Sequence, residues 1–461
     1  MSVFLQPDLW PFVVLLSSVA LVVGLITRFS FHPFVALTFS AVFVGLISPE
    51  LPQLPGQHPL VTAIELPMAE FGLVAGKIAW VIALAAVTGF AMMESGAAET
   101  IVNTLLKVFG EKLAALAFLV SGFVLSIPVF FDTVFFLLIP LAVTLALKTG
   151  KNYVLYVMAI GGGAGITHSL IPPTPGPMIM AQSLNLEMGI TILAGLAVAI
   201  LPAMSALVIG GYLNRKMPIA VRVADKHVIA IANKPHFLSA ILPVALPLIL
   251  IATDAILKTG SGGSPGWVAF LGNKNVAMLT GAVIALWLWA GSQKLAKREL
   301  WQEVAKPLEI AGVIILITSA GGAYGAMIRH SGIGDAIGSA TTGLDVNYIL
   351  LAWMTAAVIK TAQGSGTVAM ITSAAILASI IAPEALVSEP VLDYHPVYIL
   401  LAIGFGSLVI SWMNDSGFWI VSRMSGFTTR EALQTWSLLL AGVGLVGLVQ
   451  LLILSRLFPL I

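Results

Sequence analysis

The sequence has no cysteine, and only 9% of its 461 residues are charged. The first absence excludes disulfides and thiolate metal sites and leaves the redox compartment open. The second excludes an ordinary soluble domain, in which about a quarter of residues carry charge. Lys and Arg (22) nearly balance Asp and Glu (21), and a net charge of +1 with no long basic run gives nucleic acid nothing to bind. The histidines do not cluster at ligand spacing: His168, His227, His236, His330 and His395 stand far apart, so no metal site and no other cofactor is expected. The N-terminal MSVFLQPDLW lacks the positive region of a cleaved signal peptide, and residues 9–26 are expected to be kept as a first helix.

What fills the chain is apolar sequence, 59% of all residues. Runs of spanning length recur at 9–26, 34–47, 79–93, 114–127, 153–170, 190–212, 237–257, 275–290, 308–328, 348–361, 398–413 and 436–457. At about 20 residues per full span they predict an all-α polytopic membrane protein with roughly 11–14 membrane passages, partial ones included.

Four stretches interrupt this pattern: PVFFDTVFFLLIP at 128–140, THSLIPPTPGP at 167–177, TAQGSGTVAMITS at 361–373 and NDSGFW at 414–419. Pro172, Pro173, Pro175 and Pro177 fix φ and remove backbone donors, so a helix over 153–170 must end there. Broken helices at membrane depth are tolerated only where they pack in protein or line a wet cavity, so the breaks point to a site.

The short loops set an orientation. Residues 214–236 hold Arg215, Lys216, Arg222, Lys226 and Lys234, and residues 293–307 hold Lys294, Lys297, Arg298 and Lys306, whereas 51–76, 259–272 and 331–347 lack this density; the basic loops are expected in the cytoplasm. The helices at 79–93 and 308–328 should then run in opposite directions. They also resemble each other: Gly89, Ser95 and Gly96 align with Gly325, Ser331 and Gly332, and further on Gly163, Gly165 and Gly176 align with Gly404, Gly406 and Gly417. These matches predict two inverted-topology repeats, 76–181 and 306–426. N-terminal helices (1–75), connecting helices with the basic cytoplasmic loops (182–305) and a C-terminal helix (427–461) complete the division. Inverted repeats with interrupted helices are the architecture of secondary transporters, with substrate and coupling ion near the midplane.

The motifs MMESGAAETI, FFDTVFFLLIPL, THSLIPPTPGP, AQGSGTVAM and NDSGFW, spread over nearly the whole chain, resemble the gluconate permease family of bacterial secondary transporters. The resemblance implies re-entrant hairpins, a homodimer with elevator motion, proton coupling, and small hydroxylated carboxylates as substrates. Those are chiefly sugar acids such as gluconate and idonate, with D-serine in one branch. The FFD and HSLIPPTPGP forms are closer to the gluconate branch. Thr174 departs from the family, many members of which carry histidine there, so a role for a histidine at that position does not carry over.

The residues agree with an anionic, hydroxyl-rich substrate. Gln363, Gly364, Ser365, Gly366 and Thr367 would offer backbone N–H groups and hydroxyls at a hairpin tip, where the helix dipole favours a carboxylate. Asp132 with Thr133, and Asn414, Asp415 and Ser416, suit either helix capping or ligand binding. Thr167, His168, Ser169, Thr174 and Gly176 complete the substrate-binding candidates. Asp132, Asp415 and His168 are the proton-coupling candidates, with Asp132 placed first, and no residue is expected to be catalytic. Lys360 could supply charge to an anion or pair with a carboxylate. Glu94 is expected at the membrane interface, and Trp10, Trp80, Trp301 and Trp436 in an aromatic belt. The reading that follows is a sugar-acid:proton symporter in the bacterial inner (plasma) membrane. Sodium-coupled transport of a small carboxylate or D-serine fits the same oxygens, and an intramembrane aspartyl protease could use Asp132 and Asp415.

Overall fold

A computed structural model describes residues 9–48, 51–52, 58–222, 234–261, 263–333, 336, 347–381, 392–413 and 415–460. Lys226, His227 and Asn414 lie outside them. Among the described residues, eight helices are long and apolar enough to cross a membrane, with one further pair bent by 111° and five shorter apolar helices. That inventory fits the expected polytopic all-α fold.

Two N-terminal helices, α1 (Trp10–Thr27) and α2 (Pro33–Ile47), lead into the long α3 (Pro59–Glu94). Gly96, in the left-handed conformation (φ 74°), turns the chain into α4 (Ala97–Phe109), an amphipathic helix that buries Ala97, Ala98, Ile101 and Val102. Next come α5 (Ala114–Leu125) and α6 (Phe131–Thr149). Lys148 Nζ at the end of α6 lies 2.6 Å from Glu111 Oε1 just before α5, so the two form a re-entrant hairpin that leaves where it entered. Then α7 (Tyr153–Leu170) and α8 (Pro175–Ser183) make one span broken at the prolines. Pro175 stands at the first helical position, where a missing N–H costs nothing, so the same residues that stop one helix start the next.

The connecting segment holds α9 (Met188–Lys216), α10 (Phe237–Ser261), α11 (Gly266–Gly272), α12 (Lys274–Gln293) and α13 (Lys297–Glu303). After it come α14 (Ala305–His330), a second hairpin of α15 (Tyr348–Gln363) and α16 (Gly366–Ile381), and a second broken span of α17 (Val397–Gly406) and α18 (Ser416–Met424). A π-helical turn at Leu433–Ser437 then leads into α19 (Leu438–Leu457).

The inversion is visible in side-chain contacts. His330 Nε2 at the end of α14 is 3.3 Å from Glu70 Oε1 in the first part of α3, whereas Gln293 Nε2, shortly before α14, donates to the Glu94 carbonyl at the end of α3 (2.8 Å). The two helices therefore run antiparallel. Packing is also conserved when the halves are exchanged: α5 on α7 matches α15 on α17, α7 on α9 matches α17 on α19, and α6 on α18 matches α16 on α8. The core is built on α7 and α17. Gly163 of α7 would place a Cβ 2.3 Å from the Leu119 carbonyl oxygen of α5, and Gly406 of α17 would place one 2.3 Å from the Trp353 carbonyl oxygen of α15. Only glycine permits these approaches.

The basic loops gather on one face. Lys234 pairs with Glu99 (2.5 Å), Arg222 with Glu431 (2.7 Å) and Lys148 with Glu111, while Gln293 holds Glu94. Exposed apolar side chains such as Leu201, Met204 and Val208 on α9 and Leu445, Val449 and Ile453 on α19 form the outer surface, as lipid contact requires.

Candidate functional site

A cavity of about 420 Å³ opens where the four breaks meet. Three helices begin at it. Phe130, in extended conformation, precedes α6 and puts Asp132 in its first turn. Gly364 ends α15 at φ 89°, a left-handed value that suits glycine, and α16 restarts two residues later, with Ser365 Oγ accepting the Val368 N–H (3.3 Å). Asp415 caps α18 by accepting the Gly417 N–H (2.9 Å). Phe131, Asp132, Gly366, Thr367, Ser416 and Gly417 line the cavity, so the positive ends of three helix dipoles border one space.

Lys360, whose side chain is 4% exposed, reaches the cavity from the last turn of α15. Its Nζ lies 2.7 Å from Asp415 Oδ2 and also donates to the Gly364 carbonyl. The Ser411 hydroxyl donates to the same Asp415 oxygen and accepts the indole N–H of Trp436 (2.9 Å). Trp436 packs at 5.5 Å and a 35° tilt against Phe131, which extends the line of contacts from α15 through the break before α18 to α6. Trp412 Nε1 donates to the Thr361 carbonyl (2.9 Å), a second tie between α15 and the break before α18.

His168 and Ser169 line the cavity from α7. His168 lies within electrostatic reach of both Asp132 and Asp415, and its Nδ1 is buried without a hydrogen-bond partner among the described residues. Leaving a buried polar atom without a partner costs free energy, which makes this nitrogen a ready donor or acceptor at the cavity.

Asp132, His168, Ser169, Ser365, Gly366, Thr367, Asp415 and Ser416 from the sequence reading thus come together at one cavity. Others sit elsewhere. The Thr167 hydroxyl donates back to the Gly163 carbonyl (3.1 Å) and that of Thr174 to the Ile171 carbonyl (2.6 Å), so each satisfies its own chain. Gly176 faces the Met370 side chain of α16. Thr133 and Gly364 adjoin the lining without joining it, Gln363 is described only as the last residue of α15, and Asn414 is outside the described residues. Ser407, Ser411 and Trp436 escaped the sequence reading. Trp436 was expected in an aromatic belt, yet it is 2% exposed and lines the cavity, while Trp80 and Trp301 are exposed as expected. Glu94 stands at the end of α3, held by Gln293.

The sequence pattern of the GntP permeases matches residues 10–457. A gluconate permease of Pseudomonas aeruginosa is 31% identical over 459 residues, covering 96% of this chain and 97% of the relative. A low-affinity gluconate transporter of Escherichia coli K12 is 30% identical over 441 residues, covering 93% and 95%. The Alcanivorax borkumensis YdaH transporter shares the fold with a TM-score of 0.66 at 14% identity, over 98% of this chain and 99% of its own. These relatives are transport proteins, which removes the protease reading of Asp132 and Asp415. A family pattern spanning almost the whole sequence, together with full-length relatives, makes this multi-pass membrane protein a member of the GntP family of permeases and not an enzyme.

Proposed function

We propose that this permease imports gluconate or a similar sugar acid by proton symport, working as a homodimer in the bacterial inner (plasma) membrane. The observation that carries the reading is the composition of the cavity. Three helix N-termini and the Lys360 ammonium, held by Asp415, offer the donors a carboxylate needs, and the hydroxyls of Ser169, Ser365, Thr367 and Ser416 can exchange hydrogen bonds with a polyol chain. Its volume falls within the range of about 300–1,000 Å³ common for small-molecule sites. The activities for which the Pseudomonas aeruginosa and Escherichia coli relatives are named support the substrate class. Asp132, His168 and Asp415, all at the cavity, are the groups able to take a proton, and Asp132 is open to it in the first turn of α6.

Uptake of labelled gluconate into proteoliposomes tests the reading. An inward pH gradient should drive accumulation, a proton ionophore should abolish it, and unlabelled gluconate should compete better than D-serine. Accumulation that follows a sodium gradient and ignores the ionophore would replace the proton with sodium.

A further inference from the structure

We propose that Lys360 is the cation that receives the substrate carboxylate and that Asp415 takes up the proton, the two events being coupled because substrate and Asp415 compete for the same ammonium group. The inference rests on the carboxylate reading above and adds how proton and substrate would be linked.

Among the described lining residues, Lys360 is the one Lys or Arg, and its charge is already matched by Asp415 at 2.7 Å. A buried ammonium is stable only while it is paired, so a carboxylate entering the cavity has one cation to take and one carboxylate to displace. The other titratable groups at the cavity are Asp132 on α6 and His168 on α7. The residues contributed by the π turn and α19, Trp436 and Leu440, carry no charge, so nothing described from that side replaces Lys360 as a partner for a displaced Asp415. A carboxylate that loses its cation and gains a second carboxylate nearby binds a proton more readily.

The surroundings of Asp415 accommodate both forms. Ionised, it accepts from Lys360, from the Ser411 hydroxyl and, through Oδ1, from the Gly417 N–H. Ser411 uses one lone pair on the Trp436 N–H and keeps a second, so protonated Asp415 can donate to Ser411 Oγ while Oδ1 still caps α18. In the loading step, one proton from the aqueous side forms an O–H bond on Asp415, Lys360 keeps all its protons, and the substrate carboxylate replaces Asp415 as its partner. One negative charge and one positive charge enter together. Release reverses each change, and the Lys360–Asp415 pair reforms.

Calorimetric titration of the purified full-length protein with gluconate, in two buffers of different ionisation enthalpy, reads the protons taken up per ligand bound. Wild type should take up about one proton per gluconate, and its affinity should fall by up to about tenfold per pH unit as pH rises through the range in which a proton is taken up. Asp415→Asn keeps an N-cap acceptor and should show about zero proton uptake with an affinity flat across pH. Lys360→Gln should weaken binding about a hundredfold, and Lys360→Arg should retain both binding and proton uptake. Wild type that binds gluconate without taking up a proton overturns the inference and leaves the substrate reading standing. Proton uptake retained in Asp415→Asn also overturns it. Folded wild type that binds no gluconate removes the substrate reading and the inference with it.

Discussion

Ser411 serves two buried groups with one hydroxyl, giving its proton to Asp415 and a lone pair to the Trp436 N–H. Its loss should therefore cost more than one ordinary hydrogen bond. Ser411→Ala leaves an indole N–H unpaired in a fully buried position, and the protein should lose about 1–3 kcal/mol of stability. Trp436→Phe removes that N–H while keeping a ring against Phe131. The double variant should accordingly lose less than the sum of the single ones, as thermal unfolding in detergent would show. Simple additivity would mean that the two side chains do not depend on each other. This node was hidden in the sequence for a physical reason. A tryptophan near the start of an apolar run reads as an interfacial anchor, and only the π turn, with the chain folded back onto Ser411, buries it.

At the scale of elements, the breaks themselves were legible because proline and clustered polar residues cannot continue a helix in an apolar run. Helix α7 ends at Leu170, directly before the proline cluster. What the breaks are for was legible only in part. Thr167 and Thr174 look like ligand hydroxyls in sequence, yet each bonds a carbonyl three or four residues back, a local choice that depends on the final backbone. Lys360 could equally have met an anion or an acid, and the meeting of α15 with the start of α18 decides for Asp415. That junction has a testable hierarchy. Asp415→Asn should lose the charge pair but keep the cap on α18, whereas Asp415→Ala should lose both, costing about 1 kcal/mol more for the cap. Unfolding temperatures should fall in the order wild type, Asp415→Asn, Asp415→Ala. Each half also holds a tight helix contact. Gly163→Ala and Gly406→Ala each push a methyl against a carbonyl oxygen of a facing helix, and each should destabilise by about 1–3 kcal/mol. A neutral result at either position would mean that its helix pair can separate without loss.

At the scale of the whole molecule, the basic loops of the connecting segment give the two faces different charge, and the difference assigns sides. The residues that tie one face together, Glu94 with Gln293, Glu99 with Lys234, Glu111 with Lys148 and Arg222 with Glu431, all adjoin the basic loops. The opposite face carries the Glu70–His330 pair and the turn at Gly266, where α11 begins. Lys and Arg are retained on the cytoplasmic side during insertion, so the first face should be inside. The absence of cysteine makes a direct test clean, because each introduced thiol is the only one present. Lys294→Cys lies in an exposed position of the basic face, and Gly266→Cys is exposed on the opposite one. A membrane-impermeant maleimide given access to the outer side of the membrane that holds the protein should label Gly266→Cys, and should reach Lys294→Cys only after that membrane is opened. The reverse pattern would turn the molecule over in the membrane. Because α3 and α14 run antiparallel, inversion would exchange the sides of the two hairpins and leave the cavity where the breaks meet unchanged. The labelling experiment therefore decides from which side each hairpin enters, independently of what the cavity binds.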